Sequence, residues 1–94
     1  MATYILLSRL TDEGRKTLKA RPERLFEVNK EIEAMGGRVT AQFAILGPYD
    51  FVNVVEAPDT ATIAKVSVAL GARGSTRIQT LPALSIDEFV STIE

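Results

Sequence analysis

The stretch Ala44–Val55, AILGPYDFVNVV, sets an apolar run on each side of a four-residue turn, Gly47, Pro48, Tyr49 and Asp50, and reads as a β-hairpin. Pro48 presets φ near −65°, which suits the second position of a tight turn, and Gly47 accepts backbone angles closed to other residues. With a hairpin fixed at the middle of the chain, the flanking segments can only pair onto it or pack across it.

Before the hairpin, Thr3–Leu10 is β-branched and aliphatic, with Tyr4, Leu6 and Ser8 on one face and Ile5, Leu7 and Arg9 on the other. Both faces are apolar over the first half, which predicts a strand covered on both sides. Thr11 is placed to cap a short turn through Gly14. Pro22 then suits the first turn of a helix on which Leu25, Val28, Ile32 and Met35 recur at spacings of three, four and three, and Gly36 and Gly37 end it, one of them in the left-handed conformation. Arg38–Leu46 alternates as a strand, with Val39, Ala41, Phe43 and Ile45 facing one way and Arg38, Thr40, Gln42 and Ala44 the other.

Past the hairpin, Asp59 is an N-cap for a helix carrying Ile63, Val66 and Leu70, closed by Gly71 and Gly74. Thr76–Leu81 reads as a fourth strand. Ser85 and Glu88 form a capping box, Leu84 and Phe89 sit at the positions of a hydrophobic staple, and Phe89 and Ile93 continue one apolar stripe of a short terminal helix.

The resulting order, β-α-β-β-α-β plus a C-terminal helix, predicts an α+β ferredoxin-like fold: one domain over residues 1–94, a four-stranded antiparallel sheet, and both crossover helices on one face. The other face is apolar enough that leaving it in water is a poor solution, so two sheets stacked as a symmetric dimer, a dimeric α+β barrel with a small, partly polar interior, is the expected completion.

Composition bounds the chemistry. The 94 residues hold neither cysteine nor histidine, which removes disulfides, thiolate chemistry and the commonest general base and metal ligand. No carboxylate cluster resembles a calcium loop, so no metal and no cofactor are expected. A net charge of −1 selects no polyanion. Arg15, Lys16, Lys19, Arg21 and Arg24 form a basic run, but Glu23, Glu27, Glu31 and Glu33 dilute it and no aromatics interleave, so a solvated helix face fits better than a nucleic-acid patch. No run is long enough to span a membrane and no signal-peptide layout is present, which makes the cytoplasm the expected location and a second copy of the chain the expected partner.

Three groups of residues invite a functional reading. Tyr49 and Asp50 can act together, the carboxylate accepting a proton and the phenol donating to an oxyanion, with Asn53, Gln42 and Thr40 adding hydrogen bonds; the simpler reading is that Asp50 caps its turn and the Tyr49 ring packs. Glu56 is a further possible proton acceptor. Gly71, Arg73, Gly74 and Ser75 resemble an anion loop but follow a helix, where the dipole has the wrong sign, so a helix exit is the simpler reading. Phe26 and Met35 can line a pocket or simply belong to the core.

TDEG after the first strand, GPYDFV at the hairpin and RIQTLPALSIDEF near the C-terminus together resemble the GYD-domain family, over nearly the whole chain. The resemblance implies a ferredoxin-like domain of the dimeric α+β barrel kind and a family without an assigned biochemical role. Related barrels include cofactor-free monooxygenases, isomerases and ligand-binding regulatory domains. Three readings follow: a homo-oligomeric domain that binds a small molecule in or beside the barrel, a cofactor-free monooxygenase or isomerase, and a purely structural assembly module.

Overall fold

A computed structural model describes residues 1–94. Strands β1 (Ala2–Leu10), β2 (Arg38–Ala44), β3 (Phe51–Ala57) and β4 (Thr76–Ala83) form one antiparallel sheet in the order β2-β3-β1-β4. Helices α1 (Asp12–Ala20) and α2 (Arg24–Ala34) connect β1 to β2, α3 (Thr60–Gly71) connects β3 to β4, and α4 (Ile86–Ile93) ends the chain. The sheet order is that of the split βαβ arrangement inferred above.

The first crossover differs from expectation. Instead of a short turn, Thr11 caps a nine-residue helix by accepting the Gly14 N–H at 3.1 Å. Asp12 and Glu13 sit in its first turn, where the helix dipole favours acids. Gly14 lets α1 press onto the loop before β4: a Cβ there would stand 2.0 Å from the Ser75 carbonyl oxygen, which instead accepts the Thr11 N–H at 3.0 Å. At the far end of the crossover Gly36, with φ 103°, takes the left-handed position that closes α2.

The core lies between the sheet and α2 and α3. Tyr4, Leu6 and Val55 point up from the sheet, and Ile32, Ile63, Val66 and Leu70 point down from the helices, all buried. Tyr4 keeps its hydroxyl satisfied on Thr60 Oγ1 at 3.1 Å. Phe26, weighed above as core or pocket lining, is neither, since it is 69% exposed.

The alternation expected along β2 is broken by a bulge at Thr40. Val39 pairs with Val55, but Ala41 pairs with Val54, so one residue is extra and every later side chain changes face. Gln42 therefore lies opposite Asn53 on the helix side, while Ala41 and Phe43 fall on the helix-free side with Val52 and Val54. The turn also differs: the strands stop at Ala44 and resume at Phe51, and Ile45 N–H to Asp50 O at 2.8 Å closes a six-residue connection.

Helix α4 stands apart. Ser85 Oγ accepts the Glu88 N–H at 3.1 Å, so the cap is formed, yet α4 buries none of its residues. The radius of gyration, 14.0 Å, exceeds the value of about 12 Å usual for this length, as an arm held off the body requires.

Candidate functional site

The turn Gly47–Asp50 is anchored rather than projecting. Leu10 donates its N–H to Asp50 Oδ2 at 2.8 Å, Asp50 N–H extends the ladder to Ser8 O at 2.8 Å, and Arg9 Nε donates to Pro48 O at 2.9 Å. Tyr49 turns the other way. Its hydroxyl donates to Gln79 Oε1, and the Arg9 guanidinium lies 5.8 Å from its ring centroid, in a shallow cleft that Arg77 also lines. Because Arg9, Arg77 and Gln79 occupy helix-free positions of the sheet, Tyr49 sits at one end of that face while Asp50 is spent on the end of β1. The five sequence candidates thus divide. Thr40 is exposed in its bulge, donating to Val54 O at 3.2 Å, whereas Gln42 and Asn53 lie under the helices.

Gln42 and Asn53 adjoin a cavity of about 100 Å³ between the sheet and α1, α2 and α3. Leu18, Leu25, Val28, Phe51 and Leu70 supply apolar walls. Its floor is polar: Ser8 and Asn53 are buried among these walls, and the Asn53 Oδ1 has no hydrogen-bond partner. Gln42 is held by α2, its amide exchanging hydrogen bonds with that of Asn29 at 2.9 and 3.3 Å.

At the mouth, residues of α2 meet the loop after α3. Arg24, on the first turn of α2, donates to Glu31 Oε1 at 3.2 Å and to Glu27 Oε2 at 3.3 Å, and Arg73, from the loop after α3, pairs with Glu31 Oε2. Burial pushes the Glu31 carboxyl up, but the hydrogen bonds from Arg73 and Arg24 outweigh it and hold the group below its ordinary value. Arg24 is correspondingly raised by its hydrogen bond to Glu31. The glycine-containing loop therefore delivers a cation to a carboxylate. Spacing alone hid this cluster, because Glu31 and Arg73 meet only when α3 packs beside α2.

A second surface is the helix-free side of the sheet, where Ile5, Leu7, Val52 and Val54 are only half-buried, Phe43 is 61% exposed and Leu81 is 44% exposed. A third is α4, whose Ile86, Phe89, Val90 and Ile93 are all exposed. No helix is long and apolar enough to cross a membrane.

Comparison with known proteins agrees with this architecture. Over 95 residues the chain is 50% identical to the "Glutamine synthetase and cystathionine beta-lyase binding protein" of Thermus thermophilus, with all of both chains covered. A crystal structure of the Thermus thermophilus protein TTHA0845 superposes with a TM-score of 0.57 at 25% identity, over 90% of this chain and 95% of that one. The family profile described as GYD domain matches residues 4–93, and the chain belongs to that family.

Proposed function

We propose that this chain is a protein-docking module that binds a metabolic enzyme through α4. The observation that carries the reading is the spacing of the exposed anchors: Ile86, Phe89, Val90 and Ile93 stand at i, i+3, i+4 and i+7 on a capped helix none of whose residues is buried. This is the pattern by which an amphipathic helix seats its apolar face in a groove of a partner. Asp87, Glu88, Ser91 and Thr92 give the other side of the arm a polar surface. The name of the half-identical relative supplies the class of partner, and glutamine synthetase and cystathionine β-lyase are the enzymes to try first. Binding of each purified enzyme to the immobilised protein, read by interferometry, tests the proposal. Association that is lost in a Phe89→Ser, Ile93→Ser double variant supports it, and no association with either enzyme overturns it.

A second reading, compatible with the first, is that the helix-free sheet faces pair as a homodimer and so complete an α+β barrel. Four strands of about seven residues present about 19 by 23 Å, roughly 440 Å² on each copy and about 900 Å² in all before side-chain relief is counted, near the lower bound for specific interfaces. The half-buried aliphatic side chains of β1 and β3 support this pairing. Light scattering at micromolar concentration tests it, and a monomer mass of 10.2 kDa refutes it. Catalysis in such a barrel has less support, because Tyr49 and Asp50 point to different places and Gln42 and Asn53 lie on the opposite side of the sheet.

A further inference from the structure

We infer that the cavity under the helices is a binding site for a short-chain monocarboxylate carrying a second hydrogen-bonding group, independently of how the protein docks. Three features of the site lead there. The first is the floor. Asn53 is only 8% exposed and its Oδ1 is unpartnered, while Ser8, 6% exposed, stands beside it on β1. A thin core of this size gains nothing from burying an unsatisfied amide, which costs free energy wherever no partner reaches it. The Gln42 and Asn29 amides next to it bond each other, so neither oxygen turns to Asn53 and the Asn53 Oδ1 is left facing the cavity.

The second feature is size. At about 100 Å³ the cavity has room for about three waters, well below the 300 Å³ or more of a pocket for a drug-sized molecule. Only a small metabolite fits, and the walls of Leu25, Val28 and Phe51 favour an apolar middle.

The third is the sign of charge. Arg24 and Arg73 line the cavity, and the carboxylates they pair with, Glu27 and Glu31, do not. A guanidinium has five N–H donors, so each arginine retains free donors toward the mouth after meeting its acidic partners. A carboxylate at the mouth meets the arginine donors, an aliphatic waist lies against the walls, and a hydroxyl or amino group donates to the unpartnered Asn53 Oδ1 beside Ser8.

The test is a titration of the nitrogen-labelled full chain with gamma-hydroxybutyrate, followed in amide spectra and by thermal shift, with 4-hydroxybutyramide, which keeps the hydroxyl, as the uncharged control. The expected result is saturable shifts at Ser8, Asn53 and Arg73, a raised melting temperature, and a response to the amide weaker by about tenfold. Arg73→Gln should lower the affinity for gamma-hydroxybutyrate by about tenfold as well. Asn53→Leu should fold and melt at or above the wild-type temperature while losing the shifts. Shifts confined to exposed residues, equal responses to the acid and the amide, or an unchanged affinity in Arg73→Gln each overturn the assignment. If Asn53→Leu does not fold, the Arg73→Gln and 4-hydroxybutyramide comparisons decide on their own.

Discussion

Asp50 gives the sharpest test of how the central turn works. Its carboxylate is an acceptor for the Leu10 N–H at 2.8 Å, at the point where β1 leaves the sheet and α1 begins. A hydrogen bond to a charged group is worth about 1.5–3 kcal/mol, and partial exposure places this one near the lower end, at about 1.5–2 kcal/mol. Asp50→Ala removes the acceptor and leaves the Leu10 N–H unpaired. For a domain of this length each kcal/mol moves the melting temperature by about 4–8 °C, so the variant should melt about 6–16 °C lower. Asp50→Asn keeps a side-chain carbonyl in place and should recover at least half of the loss, because a neutral acceptor retains about 1 kcal/mol. Calorimetry on the three proteins at neutral pH reads this directly. An Asp50→Ala protein melting within about 2 °C of wild type, well under the shift expected for one lost charge-assisted bond, would refute the assignment of Asp50 as the anchor of the turn.

Two further outcomes follow from the geometry. Glu31 is held below its ordinary value near 4.5, so its contribution to stability is complete above that pH and is lost as pH falls through the lowered folded value. Its side chain is 35% exposed, which screens the pair, and Glu31→Gln should cost about 1 kcal/mol at pH 7, with a melting-temperature gap to wild type that narrows below about pH 4.5; a gap independent of pH contradicts the ion-pair account. Deleting Thr40 removes the one extra residue of the bulge while keeping Ala41 opposite Val54, so the deletion should fold and keep the Asn29–Gln42 hydrogen bonds, seen as an unchanged Gln42 side-chain amide signal.

Much of the fold can be read directly from the letters. Ile63, Val66 and Leu70 at helical spacing do face the core, Asp59 does cap α3 by accepting the Thr62 N–H at 2.8 Å, and Gly36 does take a left-handed φ. These features are local, and local chemistry decides them. The Thr40 bulge is different: no residue there demands it, since its effect is a choice of register made against Val54 and Val55 on another strand. That single slip moved Gln42 off the face it was expected to share with Thr40 and onto the face beneath α2. The cluster of Arg24, Glu31 and Arg73 was hidden for the same reason, its members being brought together by helix packing rather than by sequence spacing. Phe26 shows the converse, an aromatic beside a helical stripe that stays in water. The Ser85 cap and the stripe of α4 were legible, but only the structure shows that no residue of the stripe is buried in its own chain.

The most direct test of the docking role is sedimentation velocity of the fluorescently labelled protein, alone and mixed with purified glutamine synthetase or cystathionine β-lyase from the organism that encodes it. Burying Phe89 and Ile93 in a groove is worth about 1.5–3 kcal/mol for each side chain, so replacing both with serine should weaken association by a hundredfold or more. The wild-type label should move with at least one enzyme boundary and the Phe89→Ser, Ile93→Ser label should not, with the two proteins melting at about the same temperature because no residue of α4 is buried in its own chain. A wild-type label that sediments at its own rate in both mixtures contradicts the account.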